Sequence, residues 1–384
     1  MPSTPESFLE CLVAVPSVSS ANSEDSVRTV LELARAEEPE RTLQGYDGGL
    51  KTNVLLRRGP RSATGDGLTL SGHLDVVPAD EEDWASDPWT LTDGGDRWVA
   101  RGACDMKGFV ALALDRFRRL DPERMKAPLA LLLTADEEVG SIGAQQWVAQ
   151  HADRVDLPRQ IVIGEPTELA AVRLHKGHLR LQLTINGRPA HSGYPHRGQS
   201  AIEPAGPALE ALAALRRELE LESSDASQYF PDVPFVTLNV GRIAGGSATN
   251  VIPDLCTIDL GLRPLPGMAP GQLTQRLEAT LAKALDGSSW SLAVDNDSPP
   301  LLTRPEAPLY RVLCDLLQQQ GDVGVSFSSD GGTLARTGAD CVLFGPGSIG
   351  VAHRANEFLP KDQFWRAGEI LDDLIEHFCG ARPQ

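Results

Sequence analysis

Four short apolar runs, at residues 68–71, 129–134, 161–164 and 341–344, alternate with helical periods, and this alternation constrains the chain more than any other feature. Runs of this length bounded by turn residues read as strands buried on both faces. Residues 107–120 place Val110, Leu114, Phe117 and Leu120 near helical spacing, and residues 363–378 form an amphipathic helix at the end of the chain. Strands separated by helices predict an α/β fold, with a mostly parallel sheet covered by helices.

The stretch 178–294 has a different texture. Leu179, Leu181, Leu183 and Ile185 alternate with polar residues, and Asn186-Gly187 follows as a turn signal. A helical period at 201–222, strands near 235–241 and 255–262, a helix near 272–285 and a strand at 290–294 complete a βαββαβ order, the ferredoxin-like signature. The expected organisation is therefore a catalytic domain in two parts, 1–177 and 295–384, with 178–294 inserted as a smaller domain. A chain of 384 residues is long enough for both.

Charge and composition remove several classes of function. With 35 Lys plus Arg against 53 Asp plus Glu, the formal charge of −18 repels a phosphate backbone, so nucleic acid is not an expected partner. The longest apolar stretch, 128–133, is far short of the ~20 residues a bilayer crossing needs, so no membrane association is expected. The first ten residues carry acidic groups and no secretory pattern, and the six cysteines are scattered without a CxxC pair. Reduced thiols and a cytoplasmic location are the expectation.

Each buried run ends near a residue able to bind a metal. His73 closes the first in Ser-Gly-His-Leu-Asp, Glu137-Glu138 and Glu165 follow the next two, and His353 follows Gly345-Pro-Gly347. Asp105 lies just before the helix at 107, where a strand-to-helix turn brings it to the same edge. In open α/β sheets ligands bind outside the carboxyl ends of the strands. Two His and three carboxylates there make an N/O donor set suited to two zinc ions, with one carboxylate bridging. Within the acidic pair, one side chain can ligate while the other faces the water that the metal activates and serves as general base. Asp75, two residues after His73, is placed to hold the imidazole through its second nitrogen. A lone His at a strand end is more often structural and an acidic pair is usually a solvated turn, but five such residues on one edge do not occur independently. Cys104 is read as a small buried residue beside Asp105 and not as a ligand.

Competing motifs fail on context. Gly345-Pro-Gly347-Ser-Ile-Gly350 matches GxGxxG, yet the 34 residues after it hold one helix and no second strand, so no dinucleotide-binding unit can form. HExxH, GxSxG and the phosphate-loop pattern are absent.

With these residues in place, the sequence resembles the dinuclear zinc family that includes acetylornithine deacetylase, succinyl-diaminopimelate desuccinylase, aminoacylase and a glutamate-releasing carboxypeptidase. The likeness runs nearly end to end, through SGHLDVVP, RGACDMKGF, LTADEEVGS, IGEPTEL, HKGH, GRPAHSGYP, ATNVIPD, LRPLPGM and GPGSIGVAHRANEFL. It implies a zinc-aminopeptidase-like catalytic domain and an inserted domain that makes a homodimer. It also implies two Zn²⁺, with Co²⁺ as an alternative: His73 and Glu165 on one, Glu138 and His353 on the other, Asp105 bridging and followed by a cis peptide bond, and Glu137 as general acid/base. His191 matches a residue that reaches the partner's active site to steady the oxyanion. Asn250 and Arg263 match positions that hold the substrate carboxylate. DPWTLTDGG, VRLHKGH and RPLPGM favour the acetylornithine deacetylases, which implies removal of acetate from N2-acetyl-L-ornithine; a succinyl-diaminopimelate desuccinylase or another N-acyl amino acid deacylase is the alternative. Ser329-Asp330-Gly331 stands where those deacetylases carry Thr-Glu-Ala, so Asp330 is expected either to meet the substrate's ammonium or to cap a turn. A scaffold protein that has lost its chemistry would need a broken ligand set or base, and all six positions are intact.

Overall fold

Leu68–His73 and Leu129–Thr134 are buried at every position and lie side by side in parallel. Strands of this kind, with no polar face to offer solvent, fill the middle of a sheet. The structure is a computed structural model that describes residues 2–34, 40–61, 65–151 and 157–383. It divides into two compact units, one of Met1–Arg173, Thr303–Val323 and Ser329–Gln384, the other of Leu174–Leu302 and Gly324–Ser328. The second unit thus begins before residue 178 and ends after 294, and Leu174 and His175 at its start pair with Leu302 and Leu301.

In the first unit the sheet runs Glu40–Tyr46, Lys51–Arg58, Leu129–Thr134, Leu68–His73, Gln160–Ile163, Asp340–Leu343 and then Val172–His175, on which the chain leaves the unit. The four central strands are parallel, whereas the pairings at both margins are antiparallel. The sheet is thus mixed, and the expected parallel arrangement holds for its centre. The hairpin Glu40–Arg58 has no counterpart in the sequence reading. Its inner strand buries Lys51, Asn53 and Arg57, which breaks the apolar pattern that identifies a strand.

Helices follow their local signals. Thr4 caps Pro5–Val13 by accepting from the Ser7 N–H at 3.2 Å, with Pro5 at the first position where its missing N–H costs nothing. Gly108–Arg119 is buried from Gly108 to Phe117, packs against Pro5–Val13, Glu24–Ala34 and Lys361–Cys379, and ends in Arg116, Arg118 and Arg119, whose charges suit a helix C-terminus. Phe8, Phe109, Leu112, Phe117, Phe364 and Leu371 form the centre of that packing.

The second unit is a four-stranded antiparallel sheet in the order Thr237–Gly245, Leu255–Arg263, His178–Asn186, Ser289–Ser298, with helices Ala205–Leu221 and Gln272–Ala284 packed together. This is the ferredoxin-like βαββαβ order. Alternation places Leu179, Leu181, Leu183 and Ile185 in its core with Leu212 and Leu277. Asn186-Gly187 is not a two-residue hairpin. Asn186 pairs with Leu255 and Ser289 on its two sides, and Gly187 admits a close strand, since a Cβ there would lie 2.3 Å from the Gln199 carbonyl oxygen. Among the described residues no helix is long and apolar enough to cross a membrane.

Candidate metal centre

The carboxyl ends of the parallel strands carry the candidate ligands. His73 is the last residue of its strand, Glu137 and Glu138 follow Leu129–Thr134, Glu165 follows Gln160–Ile163, and His353 lies in the loop after Asp340–Leu343. Asp105 sits in the π-type turn Ala103–Lys107 that opens the buried helix, and its peptide bond to Met106 is cis. Gly164 lets Glu165 reach this edge, because a Cβ there would lie 2.0 Å from the Phe109 ring.

Two groups of three ligands result, His73–Asp105–Glu165 and Asp105–Glu138–His353, each with its ligand atoms within 4.8 Å of one another. Asp105 belongs to both and divides its oxygens between them. Oδ1 lies 3.0 Å from His73 Nε2, and Oδ2 lies 3.2 Å from His353 Nε2. His353 Nε2 also lies 2.9 Å from a Glu138 oxygen. The first group is enclosed, while the second opens to solvent through His353, whose side chain is 47% exposed.

The electrostatics favour a cation. Carboxylates about 4 Å apart repel by about 4 kcal/mol per pair at an effective dielectric of 20, and Asp105, Glu138 and Glu165 converge away from bulk water. Burial and the Asp105 charge raise Glu165 and Glu138 above the ordinary carboxylate range. Burial opposes a charged His73, but its hydrogen bond to Asp105 and the surrounding carboxylates outweigh it, so that its affinity for a proton rises. Asp105 and Glu138 push His353 up to about 10. A field that draws protons onto imidazoles is the field that binds divalent metal, and three carboxylates with two neutral imidazoles match the charge and donor types of a two-ion site.

Glu137 is in neither group. Ser141 Oγ donates to its Oε1 at 3.3 Å, and burial together with the charge of Glu165 raises its carboxyl well above the ordinary range. Asp136 turns the chain ahead of it at φ 58°, a left-handed conformation that Asp tolerates better than most residues. That turn is pinned from below. The Asp136 carboxylate takes the Lys51 ammonium and the Tyr46 hydroxyl, and Asn53 Oδ1 accepts the Ala135 N–H at 3.1 Å.

Asp75 differs from its expected role. The His73 ring Nδ1 lies 2.9 Å from the Asp75 backbone carbonyl and 3.7 Å from the nearer carboxylate oxygen, so the main chain holds the imidazole. The carboxylate instead accepts the N–H groups of Glu137 and Glu138, at 3.1 and 3.2 Å, and the Ser19 hydroxyl at 2.7 Å. Asp330 does not cap the turn. It is 2% exposed, it accepts from Thr134 Oγ1 at 2.6 Å, and the residue that caps its short helix is Ser329. Burial moves its carboxyl up to about 6, with the Thr134 hydroxyl acting in the opposite direction. Cys104 is buried, its Sγ 3.5 Å from the Ser348 carbonyl, and it joins neither ligand group.

His191, Asn250 and Arg263 belong to the second unit. His191 pairs with Val251, and the Ser192 N–H donates to the Asn250 carbonyl at 3.0 Å, so His191 and Asn250 are neighbours. The Gly193 N–H donates to His191 Nδ1 at 3.0 Å, which leaves the proton of a neutral ring on Nε2. Arg263 reaches the Ser328 hydroxyl at 3.4 Å. Lys51, Asp136 and Glu357 also support the site from buried positions. An acid directly before the Glu pair was the available signal for Asp136; a buried Lys in a strand leaves none.

The family model for peptidase family M20/M25/M40 matches residues 69–377. An acetylornithine deacetylase of Myxococcus xanthus is 38% identical over 340 residues, 88% of this chain and 87% of that protein, and one of Edwardsiella ictaluri is 36% identical over 86% and 84%. Among solved structures, the M20 family metallo-carboxypeptidase Sso-CP2 of Sulfolobus solfataricus superposes with a TM-score of 0.77 at 18% identity, over 98% of this chain and 99% of that one. The YXEP protein of Bacillus subtilis, described as a dinuclear metal binding peptidase of the M20 family, superposes at 0.64 with 14% identity, over 97% and 96%. At those identities the structures speak for the fold, while the family model and the sequence relatives reach the activity class: the chain belongs to peptidase family M20/M25/M40 and is a hydrolase of amide bonds.

Proposed function

We propose that the protein is a two-zinc amidohydrolase that removes the acetyl group from N2-acetyl-L-ornithine, giving L-ornithine and acetate. The observation that carries the reading is the pair of three-ligand groups sharing Asp105, with Glu137 beside them and outside both. The name of the relatives that span most of the chain supports the substrate. His73, Asp105 and Glu165 would hold one zinc, and Asp105, Glu138 and His353 the other. When bound, the ions supply Lewis acidity, which polarises the acyl carbonyl and makes water a competent nucleophile at neutral pH. Glu137 takes a proton from the attacking water and delivers it to the amide nitrogen as the C–N bond breaks. The Nε2–H of His191 is suited to donate to the carbonyl oxygen as it gains charge, and Arg263 with Asn250 takes the α-carboxylate.

The same reading makes the protein a homodimer through the ferredoxin-like unit, with His191 acting on the partner's site. It assigns the enzyme to arginine biosynthesis in the cytoplasm, and its six free cysteines suit that compartment. Turnover of N-acetyl, N-succinyl and C-terminal dipeptide substrates, with elemental analysis of the purified protein, tests the assignment. The expected result is a preference for acetylornithine, two zinc ions per chain and loss of activity to a chelator. A preference for succinyl-diaminopimelate would make it a desuccinylase, and full activity without metal would end the mechanism. For the dimer, mixing inactive His191→Ala chains with inactive Glu137→Gln chains is expected to restore part of the activity. No recovery after subunit exchange would place His191 in its own chain's site or outside the chemistry.

A further inference from the structure

The ligand shared by both metal positions has its main chain held by one buried side chain to which the mechanism gives no part. Glu357 is 1% exposed. Its Oε1 accepts the Cys104 N–H at 2.9 Å and the Asp105 N–H at 3.0 Å. Its Oε2 accepts the Gly102 N–H at 3.1 Å and Arg101 Nη1 at 2.7 Å. Arg101 is itself fixed, stacked over Trp84 and donating to the carbonyls of Pro78 and Arg354 at 3.3 Å. One carboxylate thus gathers three N–H groups of the turn that carries Asp105. Charge-assisted bonds of this kind are roughly twice as strong as neutral ones.

Placement makes this support specific to the metal centre. Glu357 lies four residues after His353, and the next residue, Phe358, opens a strand paired with Arg97–Val99. The loop that supplies one ligand is therefore tied through Glu357 to the turn that supplies the shared one. The two segments also pack without slack, since a Cβ on Gly347 would lie 2.4 Å from Cys104 Sγ. A shift of the turn would move Asp105 Oδ1 relative to His73 and Oδ2 relative to His353 together.

We propose that Glu357 is a positioning residue for the shared ligand, setting the affinity of both metal positions through the main chain of Asp105 without touching either ion. This rests on the two-metal reading above. In Glu357→Gln the side chain keeps its shape, but an NH₂ replaces one acceptor and faces N–H groups that donate to a carboxylate oxygen in the native turn. Loss of such outer support typically weakens metal binding ~10- to 100-fold.

The test is calorimetric titration of Zn²⁺ into chelator-stripped protein, with circular dichroism to check folding. Wild type is expected to bind two ions. Glu357→Gln is expected to weaken both dissociation constants, by ~10- to 100-fold each, whereas Glu165→Gln and Glu138→Gln each weaken mainly one. Glu357→Asp keeps both oxygens and draws them back by one methylene, and it is expected to fall between wild type and Gln at both positions; it serves if the Gln variant does not fold. The visible spectrum of the Co²⁺-loaded variant is expected to shift from that of Co²⁺-loaded wild type, a change that a general loss of stability does not produce. Wild-type affinity at either position in a folded Glu357 variant overturns the inference and leaves the metal centre standing. A wild-type protein that binds no second ion overturns both.

Discussion

Replacing Asp75 by Asn separates two accounts of its carboxylate: a clamp on the His73 ring, as the sequence suggests, or a bracket for the Glu137-Glu138 turn. Oδ1 takes one N–H, from Glu137, whereas Oδ2 takes the Glu138 N–H and the Ser19 hydroxyl. An Asn has one acceptor oxygen, and the arrangement that keeps most bonds places it at the Oδ2 position with the NH₂ facing Glu137. The Glu137 N–H then loses its acceptor. A buried donor without a partner costs ~1–3 kcal/mol, and the turn that aims Glu137 moves to relieve it. If that cost falls on the transition state, kcat drops ~5- to 150-fold at 1.4 kcal/mol per decade. Metal content is expected to stay at two ions per chain, because the acceptor for His73 Nδ1 is the Asp75 main-chain carbonyl, which the substitution keeps. Steady-state kinetics on acetylornithine with elemental analysis of the same sample decides the matter. Loss of one ion per chain with unchanged turnover per remaining site would refute the bracket and return the carboxylate to the imidazole.

Three further outcomes follow from the same geometry. Glu137→Gln is expected to keep its zinc and lose ~10²- to 10⁴-fold in kcat, while Glu138→Gln loses metal first; the reverse pattern in paired kinetics and metal analysis would exchange their roles. Lys51→Met leaves Asp136 buried without its ammonium, in a pair whose side chains are 9% and 7% exposed, and is expected to lower unfolding free energy by ~3–5 kcal/mol, toward the smaller figure because the Tyr46 hydroxyl remains; a denaturation midpoint at the wild-type value would deny the pair a structural role. Asp330→Asn is expected to lower kcat/KM for acetylornithine and for neutral N-acetylmethionine by the same factor, since the carboxylate faces Thr134 from a buried position; a loss confined to acetylornithine would restore direct contact with the substrate's ammonium.

The fold was legible wherever burial was uniform. The run 129–134 became a strand with those same bounds, and the alternation from Leu179 to Ile185 became His178–Asn186, one of the two inner strands of its sheet, because side-chain period and burial coincide there. The hairpin Glu40–Arg58 was not legible. Lys51 and Asn53 are inside it for reasons lying elsewhere in the chain: Lys51 meets Asp136, and Asn53 meets Gly143 and Ala135, while Arg57 pairs with Glu40 of the same hairpin. Each is a polar residue that a pattern of apolar positions scores as surface.

The site divides along the same line. Its five candidate ligands could be read as a cluster because strand ends and a turn before a helix are local features, and the residue types at them are scarce. Their supports could not, apart from Asp75, which the sequence offers for the imidazole. Asp75, Asn53 and Glu357 act by accepting N–H groups, and every residue except proline has one, so the donor leaves no mark on the sequence. Glu357 and the Asp105 N–H it accepts are 252 residues apart. Conversely, Asp330 stands in a motif that suggests a turn cap or a substrate contact, and Ser329 is the residue that caps, while Asp330 accepts from Thr134. Residue type is enough to nominate a ligand, because metal chemistry admits few donors. A carboxylate that shapes the backbone can be told from one that meets substrate only once its acceptor oxygens have been traced to their partners.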